Sequence, residues 1–162
     1  MTGPLRLRDG RTEDADVLAS IHTRSRAAAM PWLPVLHDEA ETRGWMRDVV
    51  LAHQRVLVAE RDGRAVGFAA VEGDWLEQLY VVPEAIGTGV GRPLLDAVKR
   101  EHPGGLSLYV FARNERARRF YEAAGFVLTA EGDGSGNEEG LPDCVYVWPG
   151  ADGKQPGAAA VG

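Results

Sequence analysis

The chain has 162 residues, 44% of them hydrophobic, which is enough for one ordinary domain with a core and too short for two. Its 24 acidic and 18 basic side chains leave a formal charge of −6, which excludes the pervasive basic field of a dedicated nucleic-acid binder. The longest apolar runs, residues 108–112 and 144–148, fall far short of the roughly 20 residues a membrane helix needs.

No charged-then-apolar leader opens the chain, so the expectation is a cytoplasmic protein that engages neither membrane nor nucleic acid. A single cysteine, Cys144, cannot form an intrachain disulfide, and His22, His37, His53 and His102 nowhere stand at metal-ligand spacing. No metal site is expected.

Leu5 to Arg8 alternates like a short strand. Thr12 to Arg26 then places Val17, Leu18 and Ile21 on one helical face behind the acidic pair Glu13 and Asp14. A proline-flanked apolar loop, Met30 to Leu36, precedes a second helix over Asp38 to Leu51, with Trp45 and Val49 spaced i, i+4. Arg55–Glu60 and Ala65–Val71 read as two antiparallel strands joined through Asp62-Gly63, a pair that accepts the positive φ of a tight turn. Trp75 to Val82 reads as a strand stopped by Pro83. A glycine-rich stretch over 87–91 leads into a helix carrying Leu94, Leu95 and Val98. Leu106 to Phe111 is apolar enough for a strand covered on both faces, and Asn114 can cap a helix ended by Gly125. Phe126–Ala130 and Cys144–Trp148 are further strands around a polar, Gly-rich loop, and residues 150–162 read as a disordered tail. The order βα, α, ββ, βα, βα, ββ predicts an α/β (α+β) fold.

The loop Ile86-Gly87-Thr88-Gly89-Val90-Gly91-Arg92 before a helix has the form of a phosphate cradle, because the first amides of a helix lack intrahelical partners and carry the positive end of its dipole. It is neither a dinucleotide fingerprint nor a P-loop: Arg92 and Leu94 stand where glycine would be required, and no Lys-Ser or Lys-Thr follows. By itself the loop names no ligand.

The run Val81 to Gly91, with Val-Val-Pro before the glycines, resembles the acetyl-CoA motif of the GCN5-related N-acetyltransferases. The stretch from Asn114 through Ala117, Phe120 and Tyr121 to Gly125-Phe126 resembles that family's second motif, in the expected order. The resemblance spans residues 5–148. It implies a single domain over 1–149 with a mixed, mostly antiparallel twisted sheet of about six to seven strands and about four helices.

It also implies acetyl-CoA as co-substrate, bound by Leu79, Tyr80, Val81, Ile86, Gly87, Thr88, Gly89, Val90, Gly91, Arg92, Asn114 and Tyr121. The amide of Leu79 would meet the acetyl carbonyl and the backbone of Val81 the pantetheine arm. Ile86 departs from the family's usual Arg or Gln, which leaves the backbone donors as the phosphate ligands, and Pro93 predicts a short irregular first helical turn.

Acetyl transfer to an amine needs a neutral nucleophile, and alkyl ammonium groups titrate near ~10.4. Tyr121 matches the family's frequent general acid. The family's glutamate position holds Trp75, so Glu77, two residues on, is the candidate base. Arg92, Arg116 and Arg119 could reach phosphates, His37 is a second candidate base, and the loop with Trp32 could wall the acceptor pocket.

The function implied is direct acetyl transfer to a primary amine, small or peptide-borne, in a ternary complex. A non-catalytic acyl-CoA-binding module is the alternative, and a nucleotide-binding protein ranks below it. Exposed C-terminal strands could support a homodimer.

Overall fold

The computed structural model describes residues 3–151, which divide into two compact units, the first ending at Val98 and the second beginning at Lys99. The expected tail over 152–162 lies outside the described residues. Gly150 and Ala151, assigned to that tail by the sequence, are held in place: the Ala151 amide donates to the Pro103 carbonyl at 2.9 Å.

The first unit begins with β1 (Leu5–Asp9), a 3-10 turn (Thr12–Asp14) and α1 (Ala15–Ala29). Helix α1 buries Leu18 and Ile21 of the face that apolar spacing predicted, but Val17, assigned to the same face, is 40% exposed. Asp14 is buried and takes two hydrogen bonds from Arg8, each 2.8 Å, so an ion pair ties β1 to the helix entry. The second helical segment is α2 (Glu39–Trp45), opened by an Asp38/Glu41 capping box. It continues through a π-helical stretch (Met46–Val50) into the single turn α3 (Leu51–His53).

Strands β2 (Arg55–Arg61), β3 (Arg64–Glu72) and β4 (Trp75–Val81) follow, and the antiparallel order is β1-β2-β3-β4. Asp62 and Gly63 take φ 56 and 75 in the β2–β3 turn, as the Asp-Gly signal implies. A 3-10 turn (Pro83–Ala85) and the glycine loop lead into α4 (Gly91–Glu101), whose last three residues belong to the second unit. Pro93 is the third residue of a helix that runs unbroken from Gly91, so the irregular first turn does not form. The missing N–H falls where no intrahelical acceptor exists, and the next amide, that of Leu94, reaches the Val90 carbonyl at 3.4 Å.

The second unit contains β5 (Leu106–Phe111), α5 (Glu115–Ala123), β6 (Val127–Gly132) and β7 (Asp143–Trp148), with antiparallel order β5-β7-β6. Strand β5 is less covered than its apolar run suggested: Leu106, Leu108 and Val110 are buried, but Tyr109 is 62% exposed. Edge strand β6 is exposed along its length. The buried Tyr146 of β7 donates to Glu122 Oε2 (2.6 Å) and accepts from Arg118 Nε (2.9 Å), fastening α5 by a fully satisfied polar link. Among the described residues, seven strands and four helical segments agree with the predicted α/β fold class.

Candidate active site

In the glycine loop, local hydrogen bonds decide which amides remain available. The Ile86 N–H donates to the Pro83 carbonyl (3.3 Å) and the Thr88 N–H to the Ala85 carbonyl (3.1 Å), so these two turn inward and shape the loop. Among the described residues, the amides of Gly87, Gly89, Val90, Gly91 and Arg92 meet no acceptor. Gly87 and Gly89 both have φ 82, which strains any residue with a Cβ, and a Cβ built at either would meet nothing within 4 Å. Unpaired donors, the positive end of α4 and open space above the backbone together fit a phosphate-bearing ligand.

The loop is packed from below by Val90 and Leu94, both buried, against Gly67 of β3. A Cβ at Gly67 would lie 2.9 Å from the Tyr80 carbonyl oxygen and 3.1 Å from Val90 Cγ1, so glycine is required there for close approach. The Arg92 side chain pairs along the helix surface with Asp96 (3.2 Å), and that of Ile86 is exposed.

Strand β4 supplies the second feature. Val82 donates to Val66, which marks 82/66 and, by alternation, Tyr80/Phe68 as the hydrogen-bonded pairs with β3. The main-chain groups of Leu79 and Val81 therefore turn to the opposite edge of β4. The Val81 carbonyl there accepts the Ser25 hydroxyl at 2.6 Å.

The register shifts where Ala70 pairs Gln78 and Val71 pairs Leu76, which leaves Glu77 as the extra residue of a β-bulge. The bulge breaks the simple period-two relation between Trp75 and Glu77 on which the sequence choice of base relied. Glu77 is exposed, yet loss of water around its carboxyl, and after that the charge of Glu72, raise its pKa above the ordinary carboxyl value.

A cluster that the sequence did not single out backs β4. The ring of Tyr80 lies against His22, and Arg26 Nη1 donates to the Tyr80 oxygen at 3.1 Å. Trp45 also lies against His22, with centroids 5.2 Å apart. The only sequence signal was His22 and Arg26 at i, i+4 on α1. His37, the alternative base, sits in an exposed contact with Glu41 (3.7 Å).

In the second unit, Asn114 caps α5, its Oδ1 accepting the Ala117 amide at 3.2 Å. The Tyr121 ring meets Phe120 and Phe126 edge-on at 5.2 and 5.5 Å, which fixes the ring plane. Arg119 engages Glu115 on the exposed face at 3.9 Å, and Arg116 is exposed. Cys144 is fully buried, and burial pushes its thiol pKa up. Among the described residues, no helix is long and apolar enough to cross a membrane.

A glycine loop with free amides after a bulged antiparallel strand belongs to a recognisable class. The acetyltransferase (GNAT) domain family matches residues 52–128. The chain is 33% identical over 148 residues to the peptidyl-lysine N-acetyltransferase YjaB of Escherichia coli, covering 87% of this chain and 96% of that protein. It is 36% identical over 106 residues to the peptidyl-lysine N-acetyltransferase YiaC of the same organism, covering 64% and 70% respectively. The solution structure of apo YjaB superposes with a TM-score of 0.76 at 27% identity, covering 91% of this chain and 99% of that one. The chain belongs to the GCN5-related N-acetyltransferase family, and its activity is that of an N-acetyltransferase.

Proposed function

We propose that the protein transfers the acetyl group of acetyl-CoA directly to a primary amine, and that the amine is a lysine side chain within a peptide or protein. The observation that carries the cofactor assignment is the set of unpaired amides at Gly87, Gly89, Val90, Gly91 and Arg92, with open space at Gly87 and Gly89. The two relatives named for peptidyl-lysine acetylation support the acceptor. The YjaB fold, matching 91% of the chain, supports residues 1–149 as one acetyltransferase domain.

The bound acetyl-CoA would supply an activated thioester. The loop amides hold its phosphates, with Ile86 and Thr88 framing them, and the main chain of Leu79, Tyr80 and Val81 lines the arm. The outward-facing Leu79 N–H polarises the acetyl carbonyl. The Glu77 carboxylate takes a proton from the acceptor ammonium, directly or through water, and its raised pKa makes it a stronger base than an ordinary glutamate. By motif, Asn114 contacts the cofactor and the Tyr121 phenol returns a proton to the departing sulfur, whose conjugate acid titrates near ~8.5. The buried Cys144 supports direct transfer over an acetyl-enzyme, because a desolvated thiol is a poor nucleophile.

Calorimetric titration with CoA, followed by thiol-release assays on lysine peptides and free amines, tests this. Heat on titration and turnover with the peptides are expected. No heat, or turnover only with non-peptide amines, would remove the cofactor or the acceptor respectively.

A further inference from the structure

The side chain of Arg61, the last residue of β2, is buried with the residue 7% exposed, and among the described residues it has no carboxylate partner. Nη1 donates to Thr88 Oγ1 at 2.8 Å, Nη2 donates to the Thr88 carbonyl at 3.0 Å, and the buried Nε meets no acceptor. Buried charges in folded proteins are nearly always paired, since an unpaired one forfeits its hydration without return. Arg8 of the same unit follows that rule, engaging both Asp14 and Glu60. Arg61 departs from it, and it does so under the glycine loop, whose amides at Gly87, Gly89, Val90, Gly91 and Arg92 also lack acceptors among the described residues.

The geometry points to Arg61 as the residue that makes the glycine loop selective for a pyrophosphate, standing in for the basic side chain absent at Ile86. This rests on the acetyl-CoA reading above. The bonds act in two ways. In a trans peptide the C=O and N–H point in opposite directions, so holding the Thr88 carbonyl inward on Nη2 turns the Gly89 N–H outward, toward the open space. The Thr88 hydroxyl accepts from Arg61 and donates its one proton to the Ala85 carbonyl at 2.5 Å, so it has no proton left for an anionic ligand and serves the loop instead. The second effect is the guanidinium charge itself. It lies behind a single peptide layer and is poorly screened at that depth, so it favours an anion on the loop's outer side.

The test compares CoA with pantetheine, which carries the same thiol arm without the pyrophosphate, by calorimetry on wild type, Arg61→Met and Thr88→Val. Wild type is expected to prefer CoA, with affinity falling as salt rises. Arg61→Met should shrink the CoA-over-pantetheine preference at least tenfold and flatten the salt dependence. Thr88→Val keeps the charge and one of the two bonds, and should lose only a fewfold of CoA affinity. If Arg61→Met does not fold, Arg61→Lys replaces it, retaining the charge and the salt dependence while losing the fork on Thr88 and severalfold of affinity. An Arg61→Met preference within twofold of wild type, or equal losses for both ligands, overturns the inference while leaving the acetyl-CoA reading standing. No heat from wild type with CoA overturns that reading as well.

Discussion

The imidazole of His22 lies 5.1 Å from the ring of Tyr80 at an interplanar angle of 76°, and its Nδ1 is buried with no hydrogen-bond partner. Burial first, and the nearby charge of Arg26 second, lower the His22 pKa to about 3 from 6.5. Well above 6.5 the imidazole is neutral whether the chain is folded or not and contributes no pH dependence. Below that value the unfolded chain takes a proton that the folded one refuses, so stability falls as pH drops from about 6.5 toward about 3. The slope from this group approaches about 1.4 kcal/mol per pH unit. Urea denaturation of wild type and His22→Phe between pH 7 and pH 5 should show this part of the slope only in wild type. Parallel curves would show that His22 takes up its proton in the folded protein as it does in the unfolded chain.

Glu77 titrates in the opposite sense. Its folded pKa is raised, so the carboxylate needed as base forms at higher pH than an ordinary glutamate would require, and the acidic limb of the kcat profile should be displaced upward. Glu72→Gln removes the second cause of the shift and should move that limb down while leaving the plateau rate. Glu77→Gln should cost about a hundredfold in kcat. A pH–rate series on the three proteins checks both, and a Glu77→Gln plateau equal to wild type would move the base elsewhere.

The elements that could be read from sequence were those whose signal is local. The Asp62-Gly63 turn, the Asn114 cap and the apolar faces of α1 and α4 each follow from residues a few positions apart. What escaped depends on partners distant in sequence. The Glu77 bulge exists only as a register against β3, and Arg61 lies 27 positions from the Thr88 it holds. His22 becomes a desolvated group with a lowered pKa only when Trp45 and Tyr80 pack against it. The exposure of Tyr109 likewise depends on what covers β5, which an apolar run cannot specify.

Gly67 and Gly89 should fail in different ways when given a methyl group. At Gly67 the new Cβ meets backbone, the Tyr80 carbonyl at 2.9 Å, together with Val90 and Leu94, so Gly67→Ala should lose about 1–3 kcal/mol of stability through overpacking. At Gly89 nothing lies within 4 Å and the cost is conformational, about 1 kcal/mol for the positive φ. The methyl would then occupy the space assigned to a phosphate. Gly89→Ala should therefore fold with a small drop in stability and lose CoA affinity disproportionately. Denaturation and calorimetry on both variants separate the two effects, and a Gly89→Ala protein that binds CoA like wild type would place the pyrophosphate away from that residue.

Tyr121 sits between Phe120 and Phe126, contacts that a phenylalanine at the same position would preserve. Tyr121→Phe thus removes one hydroxyl with little change in packing, which makes it a clean test of the acid. If the phenol protonates the departing thiolate, the group acts only as the carbon–sulfur bond breaks. Loss should then appear in kcat, by about a hundredfold, with CoA affinity nearly unchanged. A thiol leaving group of lower pKa needs that proton less, so an acetyl thioester of an acidic thiol should narrow the gap between variant and wild type. Equal turnover by the two proteins with acetyl-CoA would reduce Tyr121 to a packing residue of α5.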